Sequence, residues 1–313
     1  MKEIVPDYYP QFRCIADRCR HSCCIGWEID IDEDTLQIYD TPSVPLFEKL
    51  QKQIDRTDIP HFCLDREERC PFLTKNGLCE IILTMGEENL CQICADHPRF
   101  RNFFSDRTET GLGLCCEAAA ELVLFRQEPA GWLTVEEDGE SETADPAETE
   151  FMTLRSQVYA TLQDRTIPMG TRLQKMLVLC GGNIPEKTTA EWADLYLSLE
   201  RLDPAWDNIL HSLQNTTEPL IPNTMQTKWE LPLENLSVSF TFRHLAGALE
   251  DERLGERAAF CVLSVLFLHA LFRNTETKQG SLSHDTMIDL VRLYSSEIEY
   301  SEDNMEILLD ELL

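Results

Sequence analysis

Eleven of the thirteen cysteines in this 313-residue chain lie between Cys14 and Cys116, and only Cys180 and Cys261 fall outside. Free cysteines that merely fill a core would scatter through the apolar positions of the whole chain. A disulfide framework needs an oxidising compartment. The amino terminus, Lys2-Glu3-Ile4-Val5-Pro6-Asp7-Tyr8-Tyr9 after Met1, has no apolar run and no small-residue cleavage site. No signal peptide is therefore expected, and the expected location is the cytoplasm. Thiols crowded into one third of a cytoplasmic chain point to a metal.

The spacing narrows the chemistry only in part. The first group reads C-x4-C-x3-C-C, from Cys14 through Cys19 to Cys23 and Cys24. Thiolates two to four residues apart can converge on one ion. The adjacent pair Cys23-Cys24 cannot easily do so together, so one ligates and the other packs, or they serve two sites. Cys70 and Cys79 bracket a segment with Asn76-Gly77 at its tip, a strong turn signal that brings the two thiols together. Cys91-Gln92-Ile93-Cys94 is a C-x2-C knuckle with no βαβ context to make it a redox pair. The spacings match neither a zinc finger with paired histidines nor a ferredoxin run, and thiolates suit zinc and iron–sulfur clusters alike. The C-x3-C-x2-C arrangement of radical S-adenosylmethionine chemistry is missing: counted from Cys19 and Cys23, its third position is Gly26.

Charge removes some partners. With 56 acidic against 27 basic side chains the chain carries a net charge of −29. Such a field repels phosphate backbones and anionic membranes, so neither nucleic acid nor a membrane is an expected partner. A basic, lysine-bearing partner fits, and so does acidity that serves solubility alone. No window reaches the roughly 20 apolar residues of a membrane span. The most apolar stretch, 258–272, reads as a buried helix.

Periodicity divides the chain. Residues 1–134 read as a Cys-rich, loop-rich metal-binding region. Trp27-Glu28-Ile29-Asp30-Ile31 alternates like a half-buried strand, Asp32-Glu33-Asp34 opens a helix, and 113–127 forms a helix with Leu114, Ala118, Leu122 and Phe125 on one face. Residues 135–150 read as an acidic linker or insertion. Residues 151–313 read as a helical domain, with helices at 151–163, 171–179, 189–201, 204–213, 236–250, 255–273, 285–296 and 304–313. No strand alternates with these helices and no repeat recurs, so the expected fold is mainly α, the metal-binding region packed on the helical domain. Leu263, Leu266, Phe267 and Leu271 read as core, and His244 and His269 as core or surface residues rather than ligands.

Several motifs together resemble the flagellin lysine-N-methylase family, part of a wider group of cysteine-cluster proteins named for zinc or iron chelation. They are Val5-Pro6-Asp7-Tyr8-Tyr9, the C-x4-C-x3-C-C run followed by Gly26-Trp27, Cys70-Pro71-Phe72-Leu73, Leu78-Cys79, Leu90-Cys91-x2-Cys94 and Pro98-Arg99. The resemblance runs from about residue 4 to 125 and continues more loosely at Phe240-Thr241-Phe242-Arg243. It implies transfer of methyl groups from S-adenosylmethionine to lysines of flagellin, by a protein with an iron–sulfur cluster. Zinc is the alternative metal. Cys14, Cys19, Cys23, Cys24, Cys70, Cys79, Cys91, Cys94 and Cys115 occupy the family's cysteine positions. Cys115-Cys116-Glu117 departs from the Cys-Pro-Glu expected there, and neither Cys116 nor Cys63 has a counterpart.

Methylating lysine requires a neutral amine, through a base or through desolvation. Asp7, Tyr8, Tyr9 and Glu28 are candidates, although such tyrosines more often pack at a domain edge. Arg99 could hold the donor's carboxylate, against a plainer reading of His97-Pro98-Arg99 as a helix stop with a salt-bridged arginine. His21 is either a ligand or a loop residue. Neither a catalytic residue nor a cofactor-binding residue is assigned. Cys180-Gly181-Gly182-Asn183 follows a helix and reads as its stop, not as a nucleotide fingerprint. Two other functions remain open from the residues: a non-enzymatic, zinc-stabilised protein-binding module, and an iron–sulfur redox protein.

Overall fold

The chain divides after Phe12 and after Arg99. One unit is Arg13–Arg99, and the other joins Met1–Phe12 to Phe100–Leu313. The computed structural model describes residues 2–137, 145–221, 225 and 227–313, so the middle of the expected linker, 138–144, lies outside the described residues. The division differs from the one expected at 134–151. The reason is a sheet that local periodicity does not reveal, built from segments far apart in the chain.

In Arg13–Arg99 the helices are short: α1 Glu33–Tyr39, α2 Phe47–Gln53, α3 Glu80–Met85 and α4 Gln92–Asp96. Isolated helices of this length are marginal, so packing must hold them. The expected strand at 27–31 forms as an extended segment, with Ile29 and Ile31 buried and Glu28 and Asp30 exposed. It is tied down by Phe62 N–H to Ile29 O at 3.1 Å and by Ile31 N–H to Pro60 O at 2.7 Å. Asp32 caps α1, its Oδ1 accepting from Thr35 N–H at 2.9 Å. The core gathers Ile29, Ile31, Tyr39, Phe62, Phe72 and Ile81 around Cys70 and Cys91.

The other unit is mainly helical beside a small sheet. Its strands are β1 Lys2–Pro6, β2 Arg99–Phe103, β3 Arg107–Leu112 and β4 Trp132–Glu137, in the order β2-β3-β1-β4. β1 runs parallel to β3, with Lys2 opposite Arg107, and antiparallel to β4, with Pro6 opposite Trp132. The helices are α5 Glu117–Leu124, α6 Pro146–Leu162, α7 Met169–Cys180, α8 Thr189–Ser198, α9 Pro204–His211, α10 Glu230–His244, α11 Ala248–Asp251, α12 Leu254–Gln279, α13 His284–Tyr294 and α14 Glu302–Glu311. Capping chemistry sets many of their starts. Asp145 and Pro146 open α6, Asp203 and Pro204 open α9, and Ser283 and Ser301 cap α13 and α14. A capping box between Thr188 and Glu191 opens α8. Gly181, at φ +71°, stops α7 as its position after Cys180 predicts. A side chain on Gly182 would meet Gly255 O at 2.5 Å, so this glycine lets α7 and α12 approach closely.

One buried ion pair ties α6 to the sheet, Arg155 to Glu109 on β3 at 2.8 Å, and another ties α7 to α10, Arg172 to Glu234 at 2.6 Å. Removing one partner of such a pair leaves a buried charge and costs roughly 3–5 kcal/mol. At the carboxyl end of α13, a π turn over Ser295–Glu299 places Glu299 against His244 Nε2 at 2.6 Å.

The apolar stretch expected at 258–272 is the centre of a longer helix. By length and composition α12 could cross a membrane, which corrects the reading that no segment comes close. Most of it is buried inside this unit, and residues Ala258 through Phe272 are buried without a break. A core helix covered on all sides is hydrophobic all round, and its composition alone cannot separate it from a span. Its His269 is 1% exposed, lies 5.8 Å from the Trp229 ring, and has an Nε2 with no hydrogen bond among the described residues. Burial, with help from Arg273, pushes its pKa from 6.5 down to about 4. The unfolded chain therefore binds the proton first, and stability falls as pH drops from 6.5 toward 4. The loss reaches roughly 3 kcal/mol. Thermal unfolding of His269→Leu should show a shallower decline over that window than the parent chain; equal slopes would exclude a buried neutral imidazole.

Candidate functional site

Five cysteines come together in Arg13–Arg99. Each is delivered by main-chain structure. Cys70 N–H donates to Cys24 O at 2.8 Å, which sets those two residues on neighbouring strands of chain. The turn at Asn76-Gly77, with Gly77 at φ +75°, closes as the sequence predicts, and Leu73 bridges Cys79 across it. Cys79 stands at the start of α3, where Ile82 and Ile81 N–H groups donate to its sulfur. Cys91 stands at the start of α4, and the Cys94 main chain donates to it. Asp32 fastens this knuckle, its Oδ2 accepting from Gln92 N–H at 2.7 Å.

The thiols feel one another. Cys70 is pushed up to about 12, first by burial and then by Cys24, Cys79 and Cys91. Burial likewise raises Cys79. A hydrogen bond between Cys91 and Cys94 lowers Cys91 and raises Cys94. Cys24 is pulled down to about 7 by a hydrogen bond with Cys23, against burial, with Ser22 and Arg69 helping. Tyr39 is raised by burial, then by Cys91, Cys94 and Cys79. A bound cation reverses this logic, because thiolates that repel one another are each stabilised by the metal. Several sulfurs with main-chain N–H donors in a largely apolar core form a donor set of the kind zinc and iron–sulfur clusters use.

Of the remaining expected ligands, Cys23 adjoins the group through its hydrogen bond with Cys24. Cys14 is exposed, its Sγ accepting from Ala16 N–H at 3.4 Å, and the half-buried Cys19 donates to His21 O at 3.2 Å. Cys23 is exposed beside Cys24. Cys115 belongs to the helical unit, among Tyr300, Arg243 and Glu299, and burial pushes its thiol up to about 12. His21 and Glu28 are exposed, Glu28 lying 3.5 Å from His61 Nε2. Arg99 donates to Ala95 O at 3.1 Å, and α4 ends at Asp96, just before this motif. His97 stacks near Trp27 and is driven down to about 4 by burial.

A second feature lies wholly in the helical unit. Tyr8, Val123, Arg126, Ala130, Trp132, Asn235, Val238, Ser239 and Phe242 line a cleft. Its volume is about 10 Å³, room for about one water. Trp132 stacks on Phe242 at 4.8 Å and packs against Tyr159 at 4.7 Å. Arg126 donates to Asp7 Oδ2 at 2.6 Å, and its carbon lies 5.7 Å from the Tyr8 ring. Burial raises Tyr8, whose hydroxyl pairs with Ser239. Asp7 and Tyr8 were candidates from the sequence; Arg126, Trp132, Asn235, Ser239 and Phe242 were not. Phe240-Thr241-Phe242-Arg243 was the only signal nearby. Nothing local in the sequence joins residue 8 to residues 132 and 239.

Known proteins resemble part of this chain. Residues 186–313 match the family model of the FliB lysine N-methylase C-terminal domain. The lysine-N-methylases of Salmonella typhimurium and Salmonella choleraesuis are each 27% identical to this chain over 138 residues, 40% of it and 33% of theirs. The flagellar biosynthetic protein FliU of Salmonella muenchen is 25% identical over 138 residues, 40% of this chain and 79% of that protein. The matched stretch spans about a third of the length of the two curated lysine-N-methylases. No solved structure matches. The similarity to lysine-N-methylases that the amino-terminal motifs carry is thus matched by a family model over the carboxyl-terminal helices.

Asp32 offers a direct check on how the cysteine core is held. Asp32→Ala removes the cap of α1 and the tether of α4 together. It should cost about 1–2 kcal/mol in denaturant unfolding, whereas Asp34→Ala, in the same acidic run, should cost far less. Equal losses would mean that Asp32 does not fasten the knuckle.

Proposed function

We propose, from the match of residues 186–313 to the lysine N-methylase C-terminal domain, that this chain is a protein-lysine N-methyltransferase. Its substrate is flagellin or a similar surface protein, modified in the cytoplasm, and its methyl donor is S-adenosylmethionine. A net charge of −29 suits a lysine-bearing partner, since it draws ammonium groups toward the surface. In the reaction the lone pair of a neutral lysine amine forms the new N–C bond. The donor's C–S bond breaks, and its electron pair stays on sulfur. The methylated ammonium then gives a proton to water.

Cys24, Cys70, Cys79, Cys91 and Cys94 supply the ligands for an iron–sulfur cluster, or for zinc in the alternative reading. Bound there, the metal would cross-link short segments that meet in one small core. This reading narrows the nine cysteine positions of the family to the five that converge. Cys63 and Cys116 take no part.

Incubation of the anaerobically purified chain with methyl-labelled donor and flagellin tests the assignment. Label on lysine is expected, and a metal-loaded preparation that leaves lysine unlabelled would sink it. The same preparation should be brown and contain iron and sulfide. Cys70→Ser or Cys91→Ser should lose most of the metal while Cys63→Ser keeps it. A colourless, zinc-loaded protein would favour the alternative metal.

A further inference from the structure

The sheet of the helical unit ends at β4, and that edge is open. β4 lies last in the strand order and pairs only with β1. Among the described residues, no backbone hydrogen bond reaches Trp132–Glu137 from any other segment. The register fixes what the open side offers. Asp7 N–H donates to Gly131 O at 2.9 Å, so hydrogen-bonded and non-bonded pairs alternate from there along the ladder. Trp132, opposite Pro6, and Thr134, opposite Ile4, fall on the non-bonded pairs. Their N–H and C=O groups therefore point away from β1, as the free donors and acceptors of an edge.

The side chains along this edge add a second signature. Natural edge strands are usually blunted with lysine or proline, and β4, Trp132-Leu133-Thr134-Val135-Glu136-Glu137, has neither. Leu133 is 41% and Val135 44% exposed. Leu133 stands opposite Val5 and Glu136 opposite Glu3, and Val135 is the extra residue at the register shift between Glu3 and Ile4. Val135 and Glu136 thus both oppose Glu3, and two apolar side chains and a carboxylate follow one another along the edge. Charge decides what can cover them. The sequence from Glu136 to Glu150 holds eight acidic residues and no lysine or arginine, in a chain of net charge −29. Lys2 lies opposite Glu137, one strand in from the edge. A second copy pairing edge to edge would bring two such acidic fields together, whereas a basic strand is drawn to this one.

We propose that the open edge of β4 is a docking site for an extended, basic segment of a partner protein, which adds to the four-stranded sheet as a further strand. Main-chain bonds to Trp132 and Thr134 hold it, Leu133 and Val135 pack against its apolar side chains, and Glu136 meets one of its cations. The docking is independent of the methyl-transfer reaction, since it uses no cysteine and no methyl donor.

A fluorescently labelled peptide of sequence RVRVRV, titrated against the full chain by anisotropy, tests the edge; arginine supplies the charge and offers no lysine to methylate. Saturable binding is expected, weakening as salt rises from about 0.05 to 0.5 M. The acidic peptide EVEVEV should not bind. The basic peptide with all its amides N-methylated keeps its charge but cannot donate to a ladder, and should bind at least about tenfold more weakly. Thr134→Pro deletes an outward N–H while sparing the ladder to β1. It should also weaken binding about tenfold, with thermal unfolding confirming that the variant folds. Bound peptide should slow amide hydrogen exchange at Trp132 and Thr134. Binding that survives N-methylation, or that leaves exchange at those two amides unchanged, is charge attraction alone and overturns the proposal. So does the absence of binding, or a concentration-dependent dimer that Thr134→Pro abolishes, which would assign the edge to a second copy.

Discussion

Everything in Arg13–Arg99 depends on thiols held together by main-chain hydrogen bonds. The four helices of this unit have five to seven residues each, well below the length at which a helix stands alone. The core that holds them includes Cys70 and Cys91 as fully as Phe62 or Ile81. Donors reach the sulfurs from Phe72, Ile81, Ile82 and Cys94. Main-chain groups that would otherwise solvate helix ends are here directed at sulfur, so the fold and the donor set are one arrangement.

The helical unit is built on the opposite economy of interactions. Its long α12 is buried along fifteen consecutive residues from Ala258 to Phe272, and several of its buried carboxylates are paired. Glu109 meets Arg155, Glu234 meets Arg172 and Arg165, and Glu299 meets His244. Burial of such pairs fixes which helix faces which more than it adds stability. Cys180 and Cys261, the two cysteines outside the cluster, are simply buried here, as free cysteines in cores usually are.

The helices from 151 onward were legible because periodicity, caps and glycine stops agree along a local stretch. So were the Asn76-Gly77 turn and the alternation at 27–31. The sheet was not. β1 pairs with β3 across about a hundred residues and with β4 beyond that, and each strand is only five or six residues long. A local window sees none of that pairing, and so Trp132 fell beside a supposed linker. The cysteine spacing showed that thiols gather, but not which ones. Cys14 and Cys19 look like ligands by spacing alone, whereas Cys115, in Cys115-Cys116-Glu117, joins Tyr300 and Arg243 instead. Ligand choice is set by where strands cross, and spacing encodes only the turns between them.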